Sequence, residues 1–260
     1  MGTWQIVGTA WRSARKALKV VGFVALVQLV LGLCALPLVG EEPQPTGPQA
    51  LGVLALVLVQ FFLLPLIQGG CLSFANATLI QPPAPFESFT QGAKRIYLRL
   101  LGFEALTLVA VLLLAIVAVV LFGLASLPED NPALGVALTI LAAVPVGLGL
   151  YLTFLIVTLT PAAIAAEFLG VFAAIKKGLK IGRGALGKLA LLTLALGLTL
   201  IPAILVPWIP TILRGNAPPD LGTTLMSLVL QSVVGALSML LFAVAYVQLY
   251  RQRANLTFAR

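Results

Sequence analysis

The sequence predicts an all-α membrane protein: six transmembrane helices in three hairpin repeats, each preceded by a basic amphipathic interfacial helix, with the N and C termini cytoplasmic. Three observations predict it. The 260 residues are 60% hydrophobic and 9% charged, whereas a soluble domain usually carries about 25% charged residues. Several continuous Leu/Ala/Val runs exceed the roughly 20 apolar residues that cross a hydrocarbon core. Cations cluster at the entrance to three of these runs, at Arg12 to Lys19, Lys94 to Arg99 and Lys176 to Arg183. In lipid every backbone polar group must be paired internally, which leaves helices or closed barrels. Barrel strands alternate over about 10 residues, and these runs do not alternate.

The first segment, Met1 to Lys19, reads as a helix lying in the membrane interface. Trp4, Val7, Trp11, Ala14 and Leu18 recur at helical spacing on one face, and Arg12, Arg15, Lys16 and Lys19 fall elsewhere. A signal peptide also starts with cations. Here no A-x-A site follows and the apolar run is long, so no cleavage is expected. Leu33 is too large for a lipoprotein signal ending at Cys34, so no lipidation is expected.

The spans follow at about 20–39, 50–80, 100–127, 133–166, 186–208 and 221–250. Proline should bend three of them, at Pro65, Pro145, Pro161, Pro202 and Pro207 in the second, fourth and fifth, and Pro82, Pro83 and Pro85 should end the second. Gly69, Ser73 and Ala77 form a small-residue row where another helix could approach closely. Phe86, Phe89 and Ala93 make an apolar stripe beside Lys94, Arg95 and Arg99, giving a second interfacial helix. Phe172, Ile175, Leu179 and Leu186 do the same beside Lys176, Lys177, Lys180 and Arg183.

Fifteen of the sixteen Lys and Arg residues lie in the N-terminus, the even-numbered loops and the C-terminus, and only Arg214 lies in an odd-numbered loop. The odd-numbered loops hold five of the eight acids, Glu41, Glu42, Glu129, Asp130 and Asp220. The positive-inside rule then puts both termini in the cytoplasm. The net charge of +8 therefore reads as loops facing an anionic leaflet, not as a nucleic-acid surface. The expected location is the inner or plasma membrane of a prokaryotic cell, and the expected partners are membrane lipids, other membrane proteins or a second copy.

A shift of 80 residues brings Arg15 onto Arg95, Lys19 onto Arg99, Gly22-Phe23 onto Gly102-Phe103, Pro65 onto Pro145 and Gly69 onto Gly149. This predicts one polytopic domain, 1–260, built from units of about 1–80, 81–166 and 167–260. Each unit holds two spans, so the copies share one orientation.

Catalytic signals are few. Histidine is absent, which removes His-based triads and His-ligated metals. Cys34 and Cys71 fall inside apolar runs and read as small buried hydrophobes. No catalytic residue, metal site or cofactor is expected. Gly182 to Lys188, GRGALGK, fits G-x-G-x-x-G and part of a P-loop. Both need a preceding strand, and Leu189 stands where the P-loop needs Ser or Thr. The glycines read instead as a bend between an interfacial helix and the fifth span. Glu104 is the one acid well inside a span. It reads either as an interfacial carboxylate near Arg99 or as a functional polar group. Gln28, Gln60, Gln68, Asn76 and Gln231 are intramembrane amides, suited to bonds between helices or to a lined pathway.

Six spans in three hairpins is also the plan of mitochondrial carriers, but Pro37 to Glu42 does not supply their Pro-x-acid-x-x-base motif. Gly69-Gly70, Phe86-Glu-Ser-Phe89, Glu167-Phe-Leu-Gly170 and Ala174-Ile-Lys-Lys-Gly-Leu179 together resemble the YciC-like integral membrane proteins. They are also similar to the membrane domain fused to some glycerophosphodiester phosphodiesterases. Gly178 stands where that pattern usually has serine. The resemblance covers nearly the whole chain and implies a six-helix bacterial or archaeal membrane protein. It does not carry over the phosphodiesterase activity, whose catalytic domain is absent here. The expected function is a non-enzymatic accessory or scaffold protein at the lipid surface or for membrane partners. The alternative is a small transporter or lipid-handling permease.

Overall fold

The computed structural model describes residues 2–38, 47–82, 84–126, 132–205 and 221–256. These form eight α-helices in the order α1 (Thr3–Lys16), α2 (Leu18–Ala35), α3 (Gly47–Ile80), α4 (Glu87–Ala125), α5 (Pro132–Glu167), α6 (Val171–Arg183), α7 (Leu186–Leu205) and α8 (Leu221–Arg253), with no strand among the described residues. A 3₁₀ turn, Leu36–Leu38, follows α2. Five helices are long and apolar enough to cross a membrane: α2, α3, α4, α5 and α8. The pair α6–α7 passes the same test together, bent by 92°, and makes a sixth if it counts as one span. The acids Glu41, Glu42, Glu129, Asp130 and Asp220, the cations Arg214 and Arg260, and Pro83 and Pro207 lie outside the described residues.

Pro65, Pro145, Pro161 and Pro202 each sit inside a continuous helix. Pro85 lies just beyond the end of α3 at Ile80. The three basic segments differ from one another. The first is set off from α2 by a break at Ala17, whose backbone leaves the helical region (φ −101, ψ 31). The third is set off from α7 by the 92° bend over Gly184 and Ala185. The second is not a helix of its own: Glu87 to Ala125 is one unbroken rod of 39 residues. No proline falls between Glu87 and Leu100, so nothing forces the chain to turn there. At about 1.5 Å per residue the rod is roughly twice as long as the ~30 Å hydrocarbon core, and its excess is the end that carries Lys94, Arg95 and Arg99.

The expected apolar faces of α1 and α6 pack only in part: Val7, Trp11, Ala14, Ile175 and Leu179 reach the core, but the innermost rows lie to one side of them. In α1 the residues that pack inward are Ile6, Val7, Ala10, Ser13 and Ala14, against α7 and α8. Trp4 stays 68% exposed and Leu18 73% exposed. In α6 the inward row is Ala174, Gly178 and Gly182, which lies on α5. A Cβ on Gly178 would come within 3.2 Å of the Thr160 backbone nitrogen. Small residues allow two backbones to approach closely, so in α6 the small-residue row lies innermost, ahead of the bulky stripe.

α8 is the hub. It packs against α1, α2, α3, α5 and α7, and 39% of its most apolar window is buried, against 6–17% in the other four spans. α2 leans mainly on α8, and α3 mainly on α4; of the three expected hairpins only α4–α5 is a dominant packed pair. Gly32 and Gly235 make the α2–α8 approach close: a Cβ on Gly32 would lie 2.7 Å from Leu228, and one on Gly235 would lie 2.6 Å from Gln28 Oε1. The core gathers in one half of the bundle. Its residues run from Ile67 to Leu79 in α3, Phe89 to Phe103 in α4, Leu155 to Ala165 in α5 and Ala236 to Tyr250 in α8. The other halves present exposed apolar side chains, such as Leu54, Val119, Ile140 and Met226. Cys71 is buried as expected, whereas Cys34 is exposed, because it lies in the lightly packed half of α2. An apolar run alone does not separate a lipid-facing position from a packed one.

The tightest helix crossing is α3 on α4. A Cβ on Gly92 would fall 2.0 Å from Ser73 Cβ, and Gly69 of the same small-residue row faces Leu100 and Ile96. Gly92→Ala should therefore cost about 1–3 kcal/mol by overpacking and lower the melting temperature of the protein in detergent. Adding Ser73→Gly should recover most of the loss, while Gly22→Ala, which meets nothing within 4 Å, should leave melting unchanged. A Gly92→Ala protein as stable as the parent would show that α3 and α4 do not cross here.

Candidate functional site: a cationic helix junction

Six helix ends meet at one end of the bundle. α7 starts there and α3, α5 and α8 finish there, as the bonds between them show, and the N-terminal parts of α2 and α4 pack into the same core. Arg251 in the last turn of α8 donates from Nη1 to Asn76 Oδ1 on α3 at 2.7 Å, and Asn76 Nδ2 donates to the Ala165 carbonyl of α5 at 3.3 Å. Tyr250 donates its hydroxyl to Glu167 Oε1 at 2.6 Å. Lys188 in the first turn of α7 donates to Gln252 Oε1 at 3.4 Å, and Thr193 shares a 3.0 Å hydrogen bond with Tyr246. Arg251 and Asn76 are both buried, 4% and 8% exposed. Asn76 uses both ends of its amide, so it joins three helices with one side chain.

The α5–α6 turn is held from two sides. Glu167 ends α5 and pairs with Lys177 of α6 as well as with Tyr250. The next residue, Phe168, has φ 54, a left-handed conformation that costs a non-glycine residue energy. α4 holds it there: Arg99 donates to the Phe168 carbonyl, and the Arg95 guanidinium lies 3.8 Å from the centre of the Phe168 ring. Such a stacked cation contributes about 0.5–1 kcal/mol at an exposed site.

The remaining expected residues separate into groups. Lys94, Arg15, Lys176, Lys180 and Arg183 are exposed cations at the same end. Arg12 donates to the Gly8 carbonyl of its own helix, and with Lys16 it borders a cavity of about 260 Å³ with Thr78 and Pro82. Gln28, Gln60 and Gln231 come from three helices to line one crevice of about 280 Å³ in the lightly packed half, beside Ser232. Gln68 is half-buried, and its Oε1 has no hydrogen-bond partner among the described residues. Glu104 is half-buried and has no hydrogen-bond or ion-pair partner among the described residues. Gly182 to Lys188 forms a helix–turn–helix bend with no strand before it, so the glycine pattern is spent on the 92° turn. Among the described residues no group of three or more His, Cys, Asp or Glu could hold a metal ion.

Sequence reasoning missed a cavity of about 870 Å³, which opens beside this junction and is lined by Thr9, Thr78, Lys188, Arg251, Arg253 and Asn255 among others. The signal was present in the chain. Lys188 starts a span and Arg251 and Arg253 end one, and ends of opposite direction meet at the same side of a bundle.

Asn76→Leu should break the three-helix bond and leave Arg251 with a lost partner. Removing one side of a buried hydrogen bond costs about 1–3 kcal/mol, read as a lower melting temperature in detergent. Gln28→Leu, in the open crevice, should cost less. Equal melting of the Asn76→Leu protein and the parent would remove Asn76 from its structural role.

No curated protein and no solved structure matches the chain. A family model described as a domain of unknown function, DUF7847, matches residues 4–252. With all but the ends of the sequence inside that match, the chain belongs to the DUF7847 family.

Proposed function

We propose that the protein is a non-enzymatic accessory or scaffold protein of a cell membrane, seated with its cationic end on the anionic cytoplasmic leaflet. The observation that carries this reading is the gathering of charge. The described cations from Arg12 to Lys19, Lys94 to Arg99, Lys176 to Lys188 and Arg251 to Arg253 all lie on segments that start or finish at the junction. Each Lys or Arg near an anionic leaflet contributes about 1 kcal/mol, so this end is strongly preferred at the inner surface. On this reading both termini are cytoplasmic, and α1 and α6 are amphipathic helices at the lipid surface. α1 packs Ile6, Val7, Ala10, Ser13 and Ala14 on the protein and α6 packs Ala174, Gly178 and Gly182, while cations and Trp4 or Phe172 face outward. The three basic entrances then count as one unit used three times, adapted separately: broken at Ala17, continuous in α4, bent at Gly184.

Sidedness is tested in a background with Cys34 and Cys71 replaced by alanine. Ser126→Cys should label with a membrane-impermeant maleimide from outside intact cells, and Lys180→Cys only after permeabilisation; the reverse pattern overturns the orientation. Native nanodiscs cut from the membrane should show anionic lipid enriched around the protein. A lipid composition equal to that of the bulk membrane overturns the lipid-surface role.

A small transporter or lipid-handling permease is favoured by one observation, the convergence of Gln28, Gln60 and Gln231 on one crevice within the membrane-spanning part. A permease with alternating access should expose Gln60→Cys to maleimide from each side of sealed vesicles in turn. Labelling from neither side leaves the amides as packing groups.

A further inference from the structure

We propose that the 870 Å³ cavity beside the junction binds a phosphate-bearing anion, the chemistry shared by an anionic lipid head group and a soluble phosphate ester. Three observations carry it. Lys188 from the start of α7 and Arg251 and Arg253 from the end of α8 converge on one space. The neighbouring 260 Å³ cavity shares Thr9 and Thr78 with it and brings Arg12 and Lys16 to the same region. No aspartate or glutamate lines either cavity among the described residues.

The arrangement is selective in chemistry. Arginine presents a planar fork suited to phosphate oxygens, and lysine adds a mobile point charge. Gln252, Thr78 and Asn255 add neutral polar groups around the same space. Arg251 is fixed by its bond to Asn76, so one guanidinium is positioned before any ligand arrives, and preorganisation of this kind reduces the entropy lost on binding. Lys188 and Arg253 are more exposed than Arg251 and reach the same space from α7 and α8. Basic pockets between spans on the cytoplasmic side are where lipid head groups are commonly held. The lipid source rests on the orientation proposed above; the soluble source does not.

The test uses the full chain in two settings. In neutral detergent, glycerol 3-phosphate is titrated and followed by calorimetry. In phosphatidylcholine nanodiscs doped with phosphatidic acid, retained lipid is counted by native mass spectrometry. Lys188→Gln with Arg253→Gln should weaken binding in at least one setting by about tenfold or more, the loss expected for one charge-assisted hydrogen bond. Lys176→Gln with Lys180→Gln removes the same charge away from the cavity and should change binding by less than that. Binding in detergent identifies the soluble ester as sufficient, and binding only in nanodiscs identifies the lipid; either supports the site. Equal losses in the two variants, or no binding in either setting, overturn it. Should the cavity variant fold poorly, the parent protein decides: ligand should protect Lys188 but not Lys176 from acetylation, and equal modification of both overturns the site. Native nanodiscs that keep their anionic-lipid enrichment while Lys188 is unprotected would reject the cavity and leave the lipid-surface reading standing.

Discussion

The bond that runs from Arg251 through Asn76 to the Ala165 carbonyl is the constraint on which the rest of the bundle depends. Lipid tails are as apolar as leucine, so helices in a membrane gain little from burying apolar area against one another. Close packing and hydrogen bonds between helices do the work instead. Here one amide fixes the relative height of α3, α5 and α8, and the hub position of α8 passes that registration to α1, α2 and α7. Tyr250, the neighbour of Arg251, repeats the tie through Glu167, which reaches α6 through Lys177. The α4 arginines close the circle by holding the strained Phe168 turn.

Small residues are the second device. Gly92 under Ser73, Gly178 on Thr160 and Gly235 under Gln28 mark crossings of three different helix pairs. In each the absent side chain sets the approach. The tight crossings at Gly92 and Gly178 lie in the polar-tied half, and the crossing at Gly235 reaches toward the crevice.

Much of this was legible in the sequence, and what was not has a physical reason. Helix existence followed from run length: the expected spans coincide with α2, α3, α5, α7 and α8 to within a few residues over the described parts, whereas α4 starts 13 residues before its expected span, and α7 is long and apolar enough to cross only together with α6. The glycine run at 182–187 was readable as a bend because its flanks are helical. Helix partners were not readable. A segment apolar on every side carries no face to aim with, so the dominance of α2–α8 over α2–α3 left no trace in periodicity. The expected stripes of α1 and α6 held only in part: Val7, Trp11, Ala14, Ile175 and Leu179 pack on the core, whereas Trp4, Leu18 and Phe172 stay exposed. In lipid a bulky residue can point outward without cost, as Trp4 and Phe172 do, and in α6 the innermost side is taken by Ala174, Gly178 and Gly182. Asn76 stood out as one of five intramembrane amides, but its partners lie 89 and 175 residues away in the chain. The cavity was hidden because its cations come from ends separated by more than 60 residues.

The uneven distribution of the core has a dynamic consequence. Local opening is least costly where few groups are buried. The halves of α3, α4, α5 and α8 away from the junction bury little, whereas the junction halves are cross-linked by polar bonds. The bundle therefore behaves as a set of levers with a common pivot. Local opening is therefore least costly away from Asn76, in the half that also holds a crevice between α4 and α5 near Leu121 and Leu141.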